Sequence, residues 1–446
     1  MTGTYSSEYD QDFFLGIPYS QPPVGNLRFR APAPLTTAWR GTRNATEYSP
    51  QCIGYGADTW VLGNYVSEDC LTLNVVRPSG DQKDLPVGIW IHGGGLFNGG
   101  SSDPRYNLSF IVQQSTYARA PFIAVSVNYR MQAWGLLFGQ EVLDQGADNL
   151  AFRDQRLAMQ WVKENIAAFG GDPNKITIWG ESAGARSVGV HLLAYGGRDD
   201  GLFRGAIMQS GGPASDYQTV AQAQPAYNNI TAAANCTNAT DTLDCLRQVP
   251  VDVLSNIFNS TSIKAGFRSA VAIDGDFIRQ PGYTALREGN FIKVPTLHGR
   301  NRDEGTDFAV KGINTTEQFK AAVSSNTTTQ AILAALYPDI PSEGCPETLV
   351  RFKSVQILHV LTSSTDRPSS AISRIARCAM EAHRTVHKRQ QTTRSSSRRL
   401  SLPSSAQRDS IQLRLQRAPS RRGCHCRSLS LCRGLFRLCQ HAWCRV

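Results

Sequence analysis

The chain contains no run of 18 apolar residues, which excludes a membrane-spanning helix of ordinary length. It has no apolar segment behind Met1, so no signal peptide is expected as written, and the start reads as placed late. Internal repeats are absent. With 41% hydrophobic and 18% charged residues, the composition excludes wholesale disorder, collagen and coiled coil. The 446 residues correspond by length to about three average domains, but one large α/β domain also reaches this size.

The net charge of +10 does not describe the whole chain. Residues 1–380 carry 31 Lys and Arg against 34 Asp and Glu, whereas 381–446 carry 15 against 2. The basic character therefore belongs to a short C-terminal stretch, and a nucleic-acid partner for the protein as a whole does not follow. That stretch holds only Phe436 and Trp443 as aromatics, too few for a stacking surface. The eleven cysteines divide as well. Cys52, Cys70, Cys236, Cys245 and Cys345 precede residue 350, and five of the remaining six crowd into 424–444. Eight Asn-x-Ser/Thr sequons start at Asn44, Asn107, Asn229, Asn235, Asn238, Asn259, Asn314 and Asn326. Together with paired cysteines they point to a secreted, extracellular glycoprotein.

Up to about residue 355 apolar runs and helical periodicity alternate. Strands are expected over 73–76, 87–92, 122–127, 176–179 and 205–209, with a further buried strand over 294–298. Helices are expected over 150–168 and 182–193, and the stretch 212–262 reads as a helical insertion over the sheet. Such alternation predicts a mostly parallel central sheet with helices on both faces. Beyond about 360 neither period persists.

Gly180-Glu181-Ser182-Ala183-Gly184 follows one of these strands and opens a helix. Two glycines there permit a sharp turn, which lifts the Ser182 hydroxyl to the top of the sheet at a helix N-terminus. His92-Gly93-Gly94-Gly95 follows another strand. Residues without side chains let backbone N–H groups approach a developing oxyanion closely. His92 precedes the serine, whereas this arrangement orders its triad serine, acid, histidine, so His92 reads as structural. Asp303-Glu304-Gly305 lies just beyond the strand at 294–298, where catalytic carboxylates collect, although a solvated surface pair has the same pattern.

These segments resemble the type-B carboxylesterase/lipase family of α/β-hydrolases, which includes fungal esterases and cholinesterases. Phe14-Leu15-Gly16-Ile17-Pro18-Tyr19 with Pro22-Pro23-Val24-Gly25 resembles the family's opening. Glu68-Asp69-Cys70-Leu71-Thr72-Leu73-Asn74 matches its cysteine signature, and Phe169-Gly170-Gly171-Asp172-Pro173 through Gly184 its nucleophile signature. Gly299-Arg300-Asn301-Arg302-Asp303-Glu304-Gly305 matches its acid segment. The resemblance covers roughly 5–355 and implies an α/β-hydrolase domain over 1–358, C-terminally incomplete, followed by a basic Ser/Arg/Cys-rich tail, 359–446, expected to be poorly ordered.

The resemblance makes Ser182 the nucleophile, Glu304 the acid, and the amides of Gly94, Gly95 and Ala183 the oxyanion donors. It pairs Cys52 with Cys70 and Cys236 with Cys245, leaving Cys345 without a partner. It implies an ester substrate, small or lipidic, and no metal or other cofactor. The Cys52–Cys70 loop encloses 17 residues, short for a lipase lid, which favours soluble esters over interfacial triglycerides. No aromatic box for a quaternary ammonium can be placed, and the oligomeric state is not legible.

The family's base is a histidine downstream of the acid. His359, His383, His387, His425 and His441 are available, but none stands in the Gly-x-x-His setting the resemblance requires. Cys424-His425-Cys426 is contiguous and lacks the spacing of a zinc site. Codons compatible with Arg427 to Trp443, read one base later, spell a peptide close to the family's histidine segment, its first histidine falling on the codon of Ser430. The expectation is a departure from the ancestral frame between about 355 and 410. The alternative is a non-catalytic hydrolase-fold protein, a binding module or a truncated pseudo-enzyme.

Overall fold

Runs such as Ile123-Ala124-Val125-Ser126-Val127 can be wholly buried only inside a sheet covered on both faces. The computed structural model describes residues 1–36, 41–56, 65–301, 304, 310, 312, 313 and 315–336. The chain divides into two units, Met1–Arg302 and Asp303–Val446.

The strands of the first unit are β1 (Thr4–Ser6), β2 (Gln11–Pro18), β3 (Gln51–Cys52), β4 (Val66–Ser67), β5 (Thr72–Pro78), β6 (Leu85–Ile91), β7 (Ile123–Val127), β8 (Gly171–Glu181), β9 (Gly205–Gln209), β10 (Tyr217–Gln218), β11 (Val271–Ala272) and β12 (Thr296–Gly299). Eight of them form one sheet in the order β1-β2-β5-β7-β6-β8-β9-β12. The five strands from β7 to β12 run parallel, while β1, β2 and β5 join with antiparallel pairings.

Period-2 alternation sorts the side chains to the two faces. Leu73, Val75, Ile89, Ile91, Val125, Val127, Ile176 and Ile178 enter one core, beneath the helices Leu150–Asn165 and Ala183–Gly197. Val76, Trp90 and Ala124 enter the other, beneath the helix Leu108–Tyr117. The expected mostly parallel sheet with helices on both faces is therefore present.

The expected strands coincide with the observed ones to within two residues at each end, except that β8 begins at Gly171, five residues before the expected 176; 205–209 matches β9. One expectation is corrected. The strand over 294–298 is Thr296–Gly299, and it is exposed along its length, not buried. It pairs with β9 on one side, and among the described residues no strand lies on the other.

The stretch 212–262 is helical as expected, with helices Val220–Ala233, Thr242–Gln248, Val251–Asn259 and Thr261–Gly266. Leu243, Leu246, Leu254 and Phe258 of this insertion pack on Phe29, Tyr55 and Trp134, so it shares a core with the sheet unit. Arg28 fastens it. Its guanidinium takes both Glu68 carboxylate oxygens at 2.6 and 2.7 Å and donates to the carbonyls of Arg247 and Val249. Both implied disulfides, Cys52–Cys70 and Cys236–Cys245, are formed. Cys345, Asn314, the five C-terminal histidines and the whole of 359–446 lie outside the described residues.

Candidate active site

β8 ends at Glu181, and the helix Ala183–Gly197 begins two residues later, so Ser182 alone makes the turn. It adopts φ 54° and ψ −118°, a combination side chains disfavour. Two backbone bonds hold it there. Ser182 N–H donates to the Gln209 carbonyl at 2.8 Å, and Arg186 N–H donates to the Ser182 carbonyl at 2.9 Å. The flanking glycines are required by contact. A Cβ on Gly184 would lie 1.9 Å from the Ile91 carbonyl oxygen, and one on Gly180 would lie 2.5 Å from the Gly184 carbonyl carbon.

The end of β6 runs alongside, with Ile91 paired to Gly180. The glycine run therefore starts against the serine: a Cβ on Gly93 would sit 2.8 Å from the Glu181 carbonyl oxygen and 3.2 Å from Ser182 Cβ. Gly94 and Gly95 then take φ of 100° and 68°, accessible to residues lacking a side chain. The Gly94 carbonyl is consumed by the Phe97 and Asn98 amides at 2.9 and 3.1 Å. The N–H groups of Gly94, Gly95 and Ala183 donate to no acceptor among the described residues, and the Ser182 hydroxyl likewise has no partner there.

His92 is a structural histidine. Its ring stacks on Tyr129 with centroids 4.3 Å apart, and Nδ1 donates to the Gly93 carbonyl at 2.9 Å. Burial pulls its pKa down to about 4, so it is neutral near pH 7. The Tyr129 hydroxyl closes the arrangement by donating to the His92 carbonyl at 2.7 Å. One turn beyond Ser182, burial lowers Arg186, opposed chiefly by Asp216, and its guanidinium donates to the Ser269 carbonyl at 2.8 Å.

Glu304 belongs to the second unit, half-buried in a turn; Arg302, Asp303 and Gly305 lie outside the described residues. Sequence reasoning passed over His298 as a strand terminus. Its Nε2 donates to the Gly211 carbonyl at 2.7 Å, and Gly211 packs against Ser182, where a Cβ would lie 2.5 Å from the serine carbonyl oxygen. No local signal marks His298, because the contact joins residues 87 positions apart. Among the described residues no group of three His, Cys, Asp or Glu could hold a metal, and no helix is long and apolar enough to cross a membrane.

The strand order and the strained serine turn at the head of a helix define the first unit as an α/β-hydrolase. Comparison with known proteins agrees. The model of the carboxylesterase family matches residues 2–395. Lipase 2 of Diutina rugosa is 38% identical over 379 residues, covering 75% of this chain and 67% of its own. Secreted lipase 1 of Botryotinia fuckeliana is 40% identical over 376 residues, covering 75% and 64%. The crystal structure of Aspergillus niger EstA superimposes with a TM-score of 0.65 at 34% identity, over 76% of this chain and 66% of that one. The chain belongs to the carboxylesterase family. It spans about two thirds of the length of these relatives.

Proposed function

We propose that the protein hydrolyses carboxylic esters through a serine acyl-enzyme. Ser182 attacks the ester carbonyl, the alcohol departs, and water releases the acid. The observation that carries this reading is the Ser182 turn, strained, set at a helix N-terminus, and abutted by a glycine run whose amides have no internal acceptor. The Gly94, Gly95 and Ala183 amides would receive the oxyanion, each donor worth about 3 kcal/mol in comparable sites. Glu304 would orient the histidine that moves the proton.

That histidine is not supplied by the first unit. His92 is engaged with Gly93, His191 with Gln155, and His298 with Gly211. The base is therefore assigned to the C-terminal region, in the displaced frame. Messenger RNA across codons 350–446 is expected to show that displacement. A continuous frame would leave the alternative, a hydrolase fold without turnover.

Hydrolysis of p-nitrophenyl acetate by the chain and by Ser182→Ala tests the function directly. Where the displaced frame restores the histidine, the substitution is expected to lower the rate about 10³-fold or more, as loss of a serine nucleophile does elsewhere. Equal rates would end the enzymatic reading. Some relatives are named secreted lipases, from Botryotinia fuckeliana and Gibberella zeae. With the two disulfides, this supports an extracellular site of action here.

A further inference from the structure

Helix Ala183–Gly197 buries two polar side chains that the chemistry above does not use, Ser187 and His191, and helix Leu150–Asn165 buries a third, Gln155. Each is 0% exposed. They form one chain of hydrogen bonds. The Ser187 hydroxyl donates to the Ala183 carbonyl at 2.9 Å. Gln155 Nε2 donates to Ser187 Oγ at 3.1 Å, and Gln155 Oε1 is 2.9 Å from His191 Nε2.

The direction of every bond follows from chemistry. A carbonyl only accepts, so the Ser187 proton points at Ala183. The serine lone pair then receives the Gln155 amide, which turns the amide oxygen toward His191. His191 must donate from Nε2, which fixes its tautomer. Its Nδ1 is buried without a partner. Burial first, then Arg156, hold the ring well below its ordinary pKa, so it stays neutral.

We infer that Gln155, with Ser187 and His191, is a positioning device for the nucleophile turn, locking the backbone of Ala183 so that the Ser182 hydroxyl and the Ala183 amide keep one relative orientation. This rests on the ester-hydrolase reading. Bonds aligned in one direction reinforce one another, and a dry core makes a broken member costly, so the chain resists displacement at its end. That end is the residue beside the nucleophile. An apolar trio of similar shape would pack the two helices equally well but would leave the Ala183 carbonyl one restraint fewer.

The test uses the full chain with Gln155→Leu, Ser187→Ala and Ser187→Thr. Displacing a catalytic group by about 1 Å can cost up to 10²-fold, so Gln155→Leu and Ser187→Ala are each expected to lower kcat for p-nitrophenyl acetate roughly tenfold. KM should stay within about twofold, because the substrate touches neither residue. The double variant should lose no more than the worse single, as for groups acting as a unit. Ser187→Thr, which keeps the hydroxyl, should restore kcat. Folded variants with unchanged kcat, or with KM rising instead, would overturn the inference.

A separate readout covers failure of the enzymatic reading. Should the parent chain neither hydrolyse the ester nor accept a fluorophosphonate on Ser182, hydrogen exchange of the segment 180–187 decides the positioning claim alone. Faster exchange there in Gln155→Leu supports it, and unchanged exchange overturns it. Nitrogen NMR of His191 should report a neutral Nε2–H ring near pH 7. A charged ring or the opposite tautomer contradicts the bond directions.

Discussion

Ser182 is the residue on which the site turns, and its backbone bears strain. With φ 54° and ψ −118° it occupies a region that costs a side-chain-bearing residue about 1–3 kcal/mol. Glycine enters that region freely, offset in part by its larger entropy when unfolded. Ser182→Gly is therefore expected to be more stable than Ser182→Ala by about 1 kcal/mol, read from urea unfolding midpoints of the two variants. A lower midpoint for the glycine variant would mean the turn is unstrained. The residues of this turn were legible in sequence because their constraints are local: Gly180, Ser182 and Gly184 stand within five positions. Gln155, His191 and His298 escaped notice because their partners stand 32 to 87 positions away, and no short pattern records such pairings.

Secondary-structure elements were read with similar selectivity. Central strands carry continuous apolar runs, so β7 and β9 emerged nearly to the residue. β2 was not read as a strand. Its register shifts between Phe14 and Ile17, where Gly16 takes a positive φ, and the bulge breaks the alternation. The junction between β11 and the helix Leu150–Asn165 was equally hidden. Asn149, at φ 52°, precedes that helix and brackets Ala272, donating to its carbonyl at 2.9 Å and accepting its amide at 3.0 Å. Asp274, just beyond β11, is pushed up to about 7 by burial and by its hydrogen bond to Asp148. An acid raised in the folded state from an unfolded value near 4 binds its proton better when folded. Its stabilising contribution is complete below about pH 4 and is lost as pH rises through 7. Asp274→Asn removes that dependence. Between pH 5 and 8 the native chain should lose roughly 2 kcal/mol more stability than the variant, allowing for screening at the exposed edge of the carboxyl. Parallel pH profiles of the unfolding midpoint would show that Asp148 and Asp274 share no proton.

At the scale of the molecule, strand order was the least legible feature. β5 pairs with β7, and β6 lies between β7 and β8, so neighbours in the sheet are not neighbours in the chain. Periodicity establishes that strands exist but not which ones pair, so the order is known from the structure alone. The covalent links, by contrast, are local and close short loops. Cys52–Cys70 and Cys236–Cys245 span sequence separations of 18 and 9. In the chain-entropy model each is worth about 3 kcal/mol. Together they amount to a large part of the 5–15 kcal/mol that ordinarily separates folded from unfolded states. Protein produced with both bonds intact and then unfolded with and without dithiothreitol should show a marked fall in midpoint on reduction. The double substitutions Cys52→Ser/Cys70→Ser and Cys236→Ser/Cys245→Ser should each account for about half of it, since the two bonds sit in separate parts of the first unit and distant contributions add. An unchanged midpoint after verified reduction would show that the helical insertion and the loop before β5 are held by packing and the Arg28 bonds alone. The disulfides would then cease to argue for a protein built for an oxidising compartment.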